Sequence, residues 1–526
     1  MCRSIKFLLC LVFFAPVSLY AQGLSYTDRA VQMTQTDVVG TARIQAIGGA
    51  ATSLGGDMSA AYYNPAGLGF FRRSEFNIGM GMNVKHSSAD YNTYSFSSGN
   101  FNTENTTADN SKFQFTNMGL VISQKKDDLV PGKWRGGSFA VTFNRMRDYS
   151  GTTIYRGSNA ANDINDFFVQ GANDAGITDI NDLIGDPSLI GMAADVYLLD
   201  SYIDQNGDQF IDRLLFNDVP SEQFPVRQQE AITRRGNQNT WNFAYGGNFD
   251  DILFIGVGVG IVSTNYYYQR VYTEQYDESA LTDIRLGDEY HMRSTGINAN
   301  FGLIFKPIPQ INIGASVTTP TYNAASDMNR LNLTANFNNY EYDDGNSTVT
   351  LNNQVADPLQ FNSDFRVTTP WRSSLGASVF LGKFGFLSAD AEYVDYSSIS
   401  FSSNQFDMTG DNANVDNQLG AVWNFRAGAE FRIGQIRLRG GYNFQQDPYT
   451  QLQNNIADYA VHTVSGGIGY RDQAFSVDFV LLNSQRQGVI TPYDLYESDG
   501  SIAIDSPYAL DKMAQWRGQI NVGFFF

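Results

Sequence analysis

The stretch Ser74 to Val84, SEFNIGMGMNV, carries the pattern that decides the fold. Large apolar side chains occupy every second position, and Asn or Gly fills most positions between them. Successive side chains of a β-strand point to opposite faces, so this stretch predicts a strand with one apolar and one small, polar face. The apolar face consists of Phe76, Ile78, Met80, Met82 and Val84, and the other face contains Asn77, Gly79, Gly81 and Asn83.

The same pattern recurs along the rest of the chain and predicts fourteen strands. The connections between them alternate between short turns, such as Asp250-Asp251, and long polar joins, of which 149–236 is the longest. Short turns on one side and long loops on the other are typical of a transmembrane barrel. We therefore expect an all-β transmembrane barrel of 14 antiparallel strands over 73–526, with both termini in the periplasm. The predicted strands are 74–85, 112–124, 133–148, 237–249, 252–270, 289–306, 310–322, 364–382, 385–399, 418–433, 435–446, 461–471, 474–484 and 512–526.

Composition agrees with a barrel and excludes one class of partner. Charged residues make up 17% of the 526 residues and aromatic residues 14%, while the mean hydropathy is −0.28. Beyond the N-terminus no apolar run reaches the ~18 residues that a transmembrane helix needs. The net charge of −19 and the lack of a basic patch argue against nucleic acid as a partner.

A soluble β-sandwich is the alternative that alternation alone leaves open, because its apolar faces form a core. Ile255 to Ile261 alternate with glycines, which suits lipid on one side and a lumen on the other. Trp371, Trp423 and Trp516 each lie about ten residues from the short-turn ends of their strands, the height of an apolar band. These three predict the outer aromatic girdle, and Trp134 predicts the inner one.

The two ends of the chain indicate export to a bacterial outer membrane. Residues 1–21 read as a secretory signal, with a charged start, an apolar stretch from Phe7 to Val17 and Ala21 before the cleavage point. Cys2 and Cys10 leave with it, so the mature chain has no thiol. The last strand alternates up to a terminal Phe526, which resembles the signal that the barrel-assembly machinery reads. That machinery and outer-membrane lipid are the partners we expect, and we expect a monomer.

Residues 40–71 differ from the strands and predict a compact irregular segment. They are dense in Gly and Ala, nearly uncharged, and contain Asn64-Pro65-Ala66-Gly67. Glycine allows close approach of backbone, and proline interrupts regular structure. A barrel of this size is open unless its lumen is filled, and the glycines at 256, 258 and 260 leave space on its inner wall. We therefore assign 22–72 to an N-terminal hatch, with Asn64 either a latch or only a turn residue.

The signal, the Gly/Ala segment, the fourteen strands and the terminal Phe together resemble the FadL family of outer-membrane transporters for long-chain fatty acids and other hydrophobic compounds. The Asn64-Pro65-Ala66-Gly67 motif matches the Asn-Pro-Ala motif of that family. The resemblance implies passive uptake of a hydrophobic small molecule, gated by the hatch, with lateral release through a gap in the wall. It also implies an alternative, a binding barrel in protein secretion or surface attachment.

The family's wall gap is associated with a kink in the third strand, where this chain carries Gly136-Gly137. Such a pair suits a bulge or kink, and equally suits a crowded wall. Five arginines on predicted lumen positions either meet a carboxylate head group or pair with acids such as Asp390, Glu392 and Asp478. These arginines are Arg426, Arg432, Arg437, Arg439 and Arg517.

The long join 149–236 carries two further predictions, and 162–172 and 177–200 within it look helical. Phe167, Phe168, Tyr197 and Leu198 either form a first capture site for substrate or pack the loop onto the barrel. Oxygen ligands for calcium are available at Asp204, Asn206, Asp208 and Asp212, although Gln209 and Leu215 depart from the calcium-loop pattern and a polar turn is the alternative. The three histidines are scattered and no nucleophile motif is present, so we expect neither an enzyme nor another cofactor.

Overall fold

The computed structural model describes residues 25–126, 132–215, 218–343, 347–450, 458–497 and 501–526. Fourteen antiparallel strands form one sheet that closes when β14 pairs with β1, from Glu75 opposite Phe525 to Asn92 opposite Tyr508. The predicted fold is confirmed, while the predicted signal peptide and its two cysteines lie outside the described residues. The strands are β1 Glu75–Ser95, β2 Asn100–Lys125, β3 Trp134–Asp148 with Gly151–Asn159, β4 Val226–Phe249, β5 Leu253–Gln275, β6 Leu281–Ile308, β7 Ile311–Thr318 with Tyr322–Asp343, β8 Leu359–Thr368 with Arg372–Phe380, β9 Gly385–Asp395 with Ser400–Ser402, β10 Ala421–Ile433, β11 Ile436–Gln445, β12 Val461–Arg471, β13 Phe475–Ile490 and β14 Tyr508–Phe525.

The apolar face of the strands points outward, which rules out a soluble sandwich. On β5, Ile255 and Val259 are 53% and 43% exposed, whereas the residues between them face the lumen. Trp371, Trp423 and Trp516 also lie exposed on the outside. A continuous exposed apolar band requires lipid around it, and a fourteen-stranded barrel of this kind confirms the predicted outer-membrane location. No helix in the described part of the chain is long and apolar enough to cross a membrane.

The strands extend far beyond the predicted ends, and this corrects the predicted loops. β1 and β2 continue as a paired hairpin to Ser95 and Asn100, through the predicted loop 86–111. The predicted loops 271–288 and 323–363 are likewise mostly strand. These extensions lie above the membrane, where lipid no longer imposes an apolar outer face. Most of the hairpin of β1 and β2 is polar on both faces, whereas Leu331, Leu333 and Phe337 of β7 alternate because they are buried against the cap. The predicted bounds therefore miss these extensions, whereas those of β10, β11 and β12 agree with the structure within three residues.

The hatch fills the lumen with short helices joined by irregular chain. Its elements are α1 Tyr26–Thr34, α2 Ala42–Gln45, α3 Ala60–Tyr63 and a 3-10 helix Pro65–Phe70. The Gln45 amide nitrogen donates to the Gln519 side chain of β14 at 2.7 Å, and the Thr52 N–H donates to Asp390 of β9 at 2.8 Å. Contacts with distant strands place the segment across the barrel interior.

An extracellular cap is built from the join between β3 and β4. It contains α4 Ile164–Asp174, a 3-10 turn Ile180–Asp182, α5 Leu189–Asp195 and a hairpin of Leu199–Ile203 with Gln209–Arg213. The helix predicted over 162–172 is present, while the one over 177–200 is reduced to the short turn and α5. A last helix, α6 Thr409–Gln418, lies between β9 and β10 and packs on α1. The hatch therefore begins near the extracellular side and descends to β1.

Buried acids join the cap to the strand extensions. Glu274 of β5 lies thirteen residues beyond Ile261, well outside the membrane band, and accepts hydrogen bonds from the Ile164 N–H at 3.0 Å and the Tyr276 hydroxyl at 2.5 Å. Burial, and then the charge of Asp163, raise the pKa of Glu274. Burial also raises the pKa of Asp163, although the Arg213 guanidinium opposes this shift.

We expect the cap to lose stability as the pH rises from 4.5, the ordinary pKa of Glu274. The folded state keeps a proton that the unfolded state releases, so stability falls by about 1.4 kcal/mol per pH unit until the raised pKa is passed. Hydrogen exchange of α4 in the intact protein, corrected for the intrinsic effect of pH, measures this. Glu274→Gln removes this proton and lowers the slope of the profile to the part that Asp163 contributes, whereas Glu341→Gln, at an exposed acid, leaves the profile unchanged. Equal profiles for wild type and Glu274→Gln would contradict the assignment.

Candidate functional site

Asn64 connects the hatch to the barrel wall. Its amide nitrogen lies within hydrogen-bonding distance of the Thr52 carbonyl at 2.7 Å and of the Leu303 and Ala315 carbonyls, both at 3.2 Å. Its side-chain oxygen accepts from the Ala66 N–H at 3.1 Å and so caps the 3-10 helix. One buried side chain therefore holds the turn and also reaches β6 and β7, and its role as a latch stays a prediction.

Glycines on the inner wall make room for the turn that contains Asn64. A Cβ on Gly256 would overlap the backbone of Pro65 and Ala66, and one on Gly302 would overlap the Asn64 amide. The other two glycines of the predicted set do not meet the hatch: a Cβ on Gly258 would lie 3.1 Å from Ala244, and one on Gly260 would overlap Asn298. The hatch therefore fits against single glycines on several strands rather than against a row of glycines along β5.

Ion pairs hold the hatch at three levels. Arg29 of α1 contacts Asp327 of β7 at 2.9 Å, and Arg43 of α2 lies 3.7 Å from Glu430 of β10. Between them, Asp37 pairs with Arg517 of β14. All six side chains are largely shielded from water. Removing one partner of such a pair would leave the other as an uncompensated buried charge. The hatch is thus fixed by specific charges as well as by packing.

The five arginines predicted to meet a head group have other roles in this structure. Arg426 pairs with Glu392 at 2.8 Å, Arg439 pairs with Glu430 at 2.8 Å, and Arg432 pairs with the same glutamate at 2.8 Å. Arg517 pairs with Asp37 as above, and Arg437 donates to the Gly434 carbonyl at the periplasmic turn. The geometry favours the alternative, in which these charges are neutralised within the barrel. None of the four paired side chains is left to bind a carboxylate from outside.

A cavity of about 570 Å³, here called the upper cavity, lies between α1 and the extracellular loops. Its lining combines apolar and aromatic side chains with charged ones, five of them basic and four acidic, the acids being Asp28, Asp148, Asp494 and Asp511. A mixed lining of this kind suits an amphipathic ligand. Val31, Ile232 and Tyr268 belong to the apolar part, and Arg147 and Arg234 to the cationic part. This site was not predicted, because its lining comes from strand extensions and loops that have no apolar alternation.

Arg234 is the cation of the upper cavity with most capacity to bind an anion. Its guanidinium donates to the Thr153 hydroxyl at 3.2 Å and lies 5.8 Å from the centre of the Tyr268 ring. Among the described residues no carboxylate lies within 4.0 Å of it. Arg147, in contrast, is engaged by the Gln32 and Gln35 carbonyls at the C-terminal end of α1. The sequence contains an indication of this residue. Adjacent arginines at 234 and 235 must point to opposite faces of a strand, so one of them faces the lumen.

The glycine pair of β3 forms a bulge but does not open the wall. Gly136 has φ +111°, and the register with β4 shifts between Trp134 and Gly136. Gly136 and Gly137 nevertheless remain paired with Lys125 and Gln124 of β2. The predicted bulge is therefore present at the periplasmic end, and the interruption of the wall lies elsewhere.

The wall is interrupted near Met146, higher on the same strand. The ladder between β2 and β3 ends at Asn117 opposite Asn144, and the register with β4 shifts again between Arg145 and Arg147. Past this point a side-chain bond, from Arg145 to Gln114 at 2.9 Å, bridges the two strands. The result is a gap in backbone pairing that is closed only by side chains.

This gap lies beside the hatch. Met146 packs on Val39 of the hatch and Val262 of β5, and it lines a lower cavity of about 80 Å³ beneath α1. Arg147, the next residue, lines the upper cavity. The gap therefore lies where the two cavities, the hatch and the wall come together.

The predicted loop capture site is instead part of the core of the cap. Phe168 is fully buried and Leu198 nearly so, and they share a hydrophobic cluster with Tyr272 and Leu333 of the strand extensions. Phe167 packs edge-on against Phe168, and Tyr197 similarly against Tyr342. These side chains hold the cap down, as the alternative interpretation had it.

The predicted calcium loop has the geometry of a polar turn. The Asp204 carboxylate accepts the backbone N–H groups of Asn206 and Asp208, both at 2.8 Å. Asp212 lies in the second strand of the cap hairpin, opposite Asp200. Within the described ranges no three His, Cys, Asp or Glu side chains converge as a metal site. Calcium binding here stays a prediction without geometric support.

Comparison with solved structures shows the fold. The chain is similar to a Pseudomonas aeruginosa FadL homologue, with 13% identity over 93% of this chain and 99% of that one and a TM-score of 0.54. Weaker matches include the toluene transporters TbuX of Ralstonia pickettii (15% identity, 92% and 98% coverage, TM-score 0.46) and TodX of P. putida (12%, 92% and 97%, 0.47). No family model and no curated protein matches the sequence. The predicted resemblance to FadL-type barrels is thereby confirmed for the fold.

Proposed function

We propose that this barrel takes up hydrophobic small molecules, long-chain fatty acids among them, passively across the outer membrane. The observation that carries the proposal is the upper cavity, which offers apolar walls and Arg234 directly above a hatch. A carboxylate on Arg234 with its chain along Val31 and Ile232 satisfies both kinds of surface. The fold shared with a FadL homologue supports the same function.

In this proposal the hatch is the gate and the gap at Met146 is the exit. The substrate enters from the extracellular side into the upper cavity, and a shift of the chain around Asp37 joins it to the lower cavity. From there the substrate leaves sideways between β2 and β3, where no backbone hydrogen bonds join the two strands. The shift of the hatch breaks one backbone hydrogen bond, from the Asp37 N–H to the Met146 carbonyl at 3.0 Å. Parting the two strands here displaces side chains such as those of Arg145 and Gln114, which costs less than breaking a paired ladder.

The test is uptake of labelled oleate by a Gram-negative host whose own outer-membrane fatty-acid transporter is deleted. Expression of the protein should restore uptake, and a neutral hydrophobe should also enter. Uptake no greater than in the empty host, with a secreted polypeptide co-purifying, would overturn the proposal and favour the secretion alternative.

Arg234→Gln should weaken oleate uptake at low concentration by about tenfold or more, because a charge-assisted hydrogen bond is lost. Uptake of a neutral hydrophobe should not change. The matched control is Arg235→Gln, which alters the exposed neighbour on the opposite face of β4. Equal effects of the two substitutions on oleate would remove Arg234 from the proposal.

A further inference from the structure

A third cavity, of about 220 Å³, lies at the periplasmic end of the barrel beneath the hatch, and we call it the basal pocket. One wall is the end of the hatch, Gly69 to Arg72. The opposite wall is formed by the ends of β2, β3 and β6 and the turn between β4 and β5. The basal pocket lies outside the proposed transport route, and Asn64 does not line it.

The basal pocket is strongly cationic in a chain whose net charge is −19. Four basic side chains line it, against the single carboxylate of Asp251. That carboxylate is already engaged by the Asn248 amide at 2.7 Å. The four basic residues are Arg72, Lys125, Arg135 and Lys306.

The bulge at Gly136 is what turns Arg135 into this pocket. Trp134 pairs with Phe249 and Gly136 with Asn248, so Arg135 is the extra residue without a partner on β4. Trp134 consequently faces lipid, with its ring over Gly247. Strict alternation from Gly136 would have put Trp134 in the lumen and Arg135 in the membrane. A bulge that re-aims one side chain is a recognised use of this irregularity.

One donor in the pocket, on Arg135, is left without a hydrogen-bond partner. The Arg135 Nε is buried and has no hydrogen-bond partner in the described part of the chain, and its nearest carboxylate is Asp250, 3.8 Å away. No carboxylate among the described residues lies within 4.0 Å of Arg72 or Lys306. A buried unpaired donor is costly, so the site is suited to an anion that supplies acceptors.

We propose that the basal pocket binds the phosphate of an anionic glycerophospholipid of the inner leaflet. The volume fits a head group rather than a whole lipid, and the lining residue Arg135 directly follows the exposed, lipid-facing Trp134. Basic pockets between transmembrane helices bind phosphorylated lipid head groups through the same charge complementarity. Apolar surface for the glycerol end is supplied by Phe70, stacked on Phe254 with ring centres 3.8 Å apart. The assignment does not depend on the transport proposed above.

Native mass spectrometry of the full protein, stripped of lipid and titrated with phosphatidylglycerol or phosphatidylcholine, tests this. Wild type should retain one phosphatidylglycerol in preference to phosphatidylcholine. Arg135→Gln with Lys306→Gln should weaken that binding about thirtyfold, and Lys306→Gln alone about fivefold. The single variant keeps the test valid if the double variant fails to show the heat-dependent gel shift of a folded barrel.

The matched control is Lys383→Gln with Arg437→Gln, two basic residues at periplasmic turns outside the pocket. It should bind phosphatidylglycerol like wild type. An equal loss in the control pair, or no preference over phosphatidylcholine, overturns the site. Displacement of the lipid by inorganic phosphate at equal concentration overturns the assignment to lipid.

Discussion

A single methyl group on Gly256 is expected to unseat the hatch and make the barrel leak small polar solutes. The new Cβ would overlap the backbone of Pro65 and Ala66, which cannot rotate away as a side chain does. Overpacking of this kind costs about 1–3 kcal/mol, so Gly256→Ala should raise the open population by about fivefold to 150-fold. Sensitivity of expressing cells to a polar antibiotic too large for ordinary porins measures it.

Gly258→Ala is the matched control, two residues along the same face of β5. Its Cβ would lie 3.1 Å from Ala244 of the wall and touches no residue of the hatch. Permeability should stay at the wild-type level. Leakage from both variants, or from neither, would show that the contact between Gly256 and Pro65 does not seat the hatch.

The sequence predicted the membrane-embedded barrel well because the bilayer imposes a rule on every second residue. Ser74 to Val84 must present apolar groups to lipid, and the same constraint marked all fourteen strands. Above the membrane that constraint ends. The hairpin from His86 to Asn110 is held by backbone pairing and polar side chains, so it carried no periodic signal and was predicted as a loop.

The hatch could be located but its attachments could not. Small residues around Asn64 and glycines on β5 indicated a close contact, and Gly256 does meet Pro65. Which other wall glycines take part depends on the register between strands, as Gly302 on β6 shows. A single sequence contains no information about that register, since each strand alternates in the same way whatever lies beside it.

Irregularities in the wall were predicted only where glycine marks them. Gly136 signalled the periplasmic bulge correctly, because its φ of +111° is strained for other residues. The break at Met146 lies in the segment Asn144 to Asp148, which has no Gly or Pro. Its cause is tertiary: Met146 packs on Val39 of the hatch, and β3 leaves its ladder to do so.

Bridging the gap between β2 and β3 should abolish uptake if the substrate leaves sideways. The Arg145 guanidinium contacts the Gln114 side chain at 2.9 Å, so Gln114→Cys with Arg145→Cys places two thiols across the gap. The natural cysteines lie in the predicted signal peptide, which leaves the engineered pair as the mature chain's thiols. A short bis-methanethiosulfonate reagent then fixes the strands, and oleate uptake should fall about tenfold or more, because opening would need covalent bonds to stretch.

Reduction of the bridge should restore uptake, and a one-armed methanethiosulfonate should leave most of it. A second bridge, Ser123→Cys with Ser138→Cys, joins the same strands where they are already directly paired. The two strands are not expected to separate at this position, so uptake should remain normal with this bridge in place. If uptake persists with the upper bridge in place, the substrate passes through the hatch into the periplasm, and only the lateral exit is wrong. Oleate bound in the upper cavity of the bridged protein would then still support Arg234 as its contact.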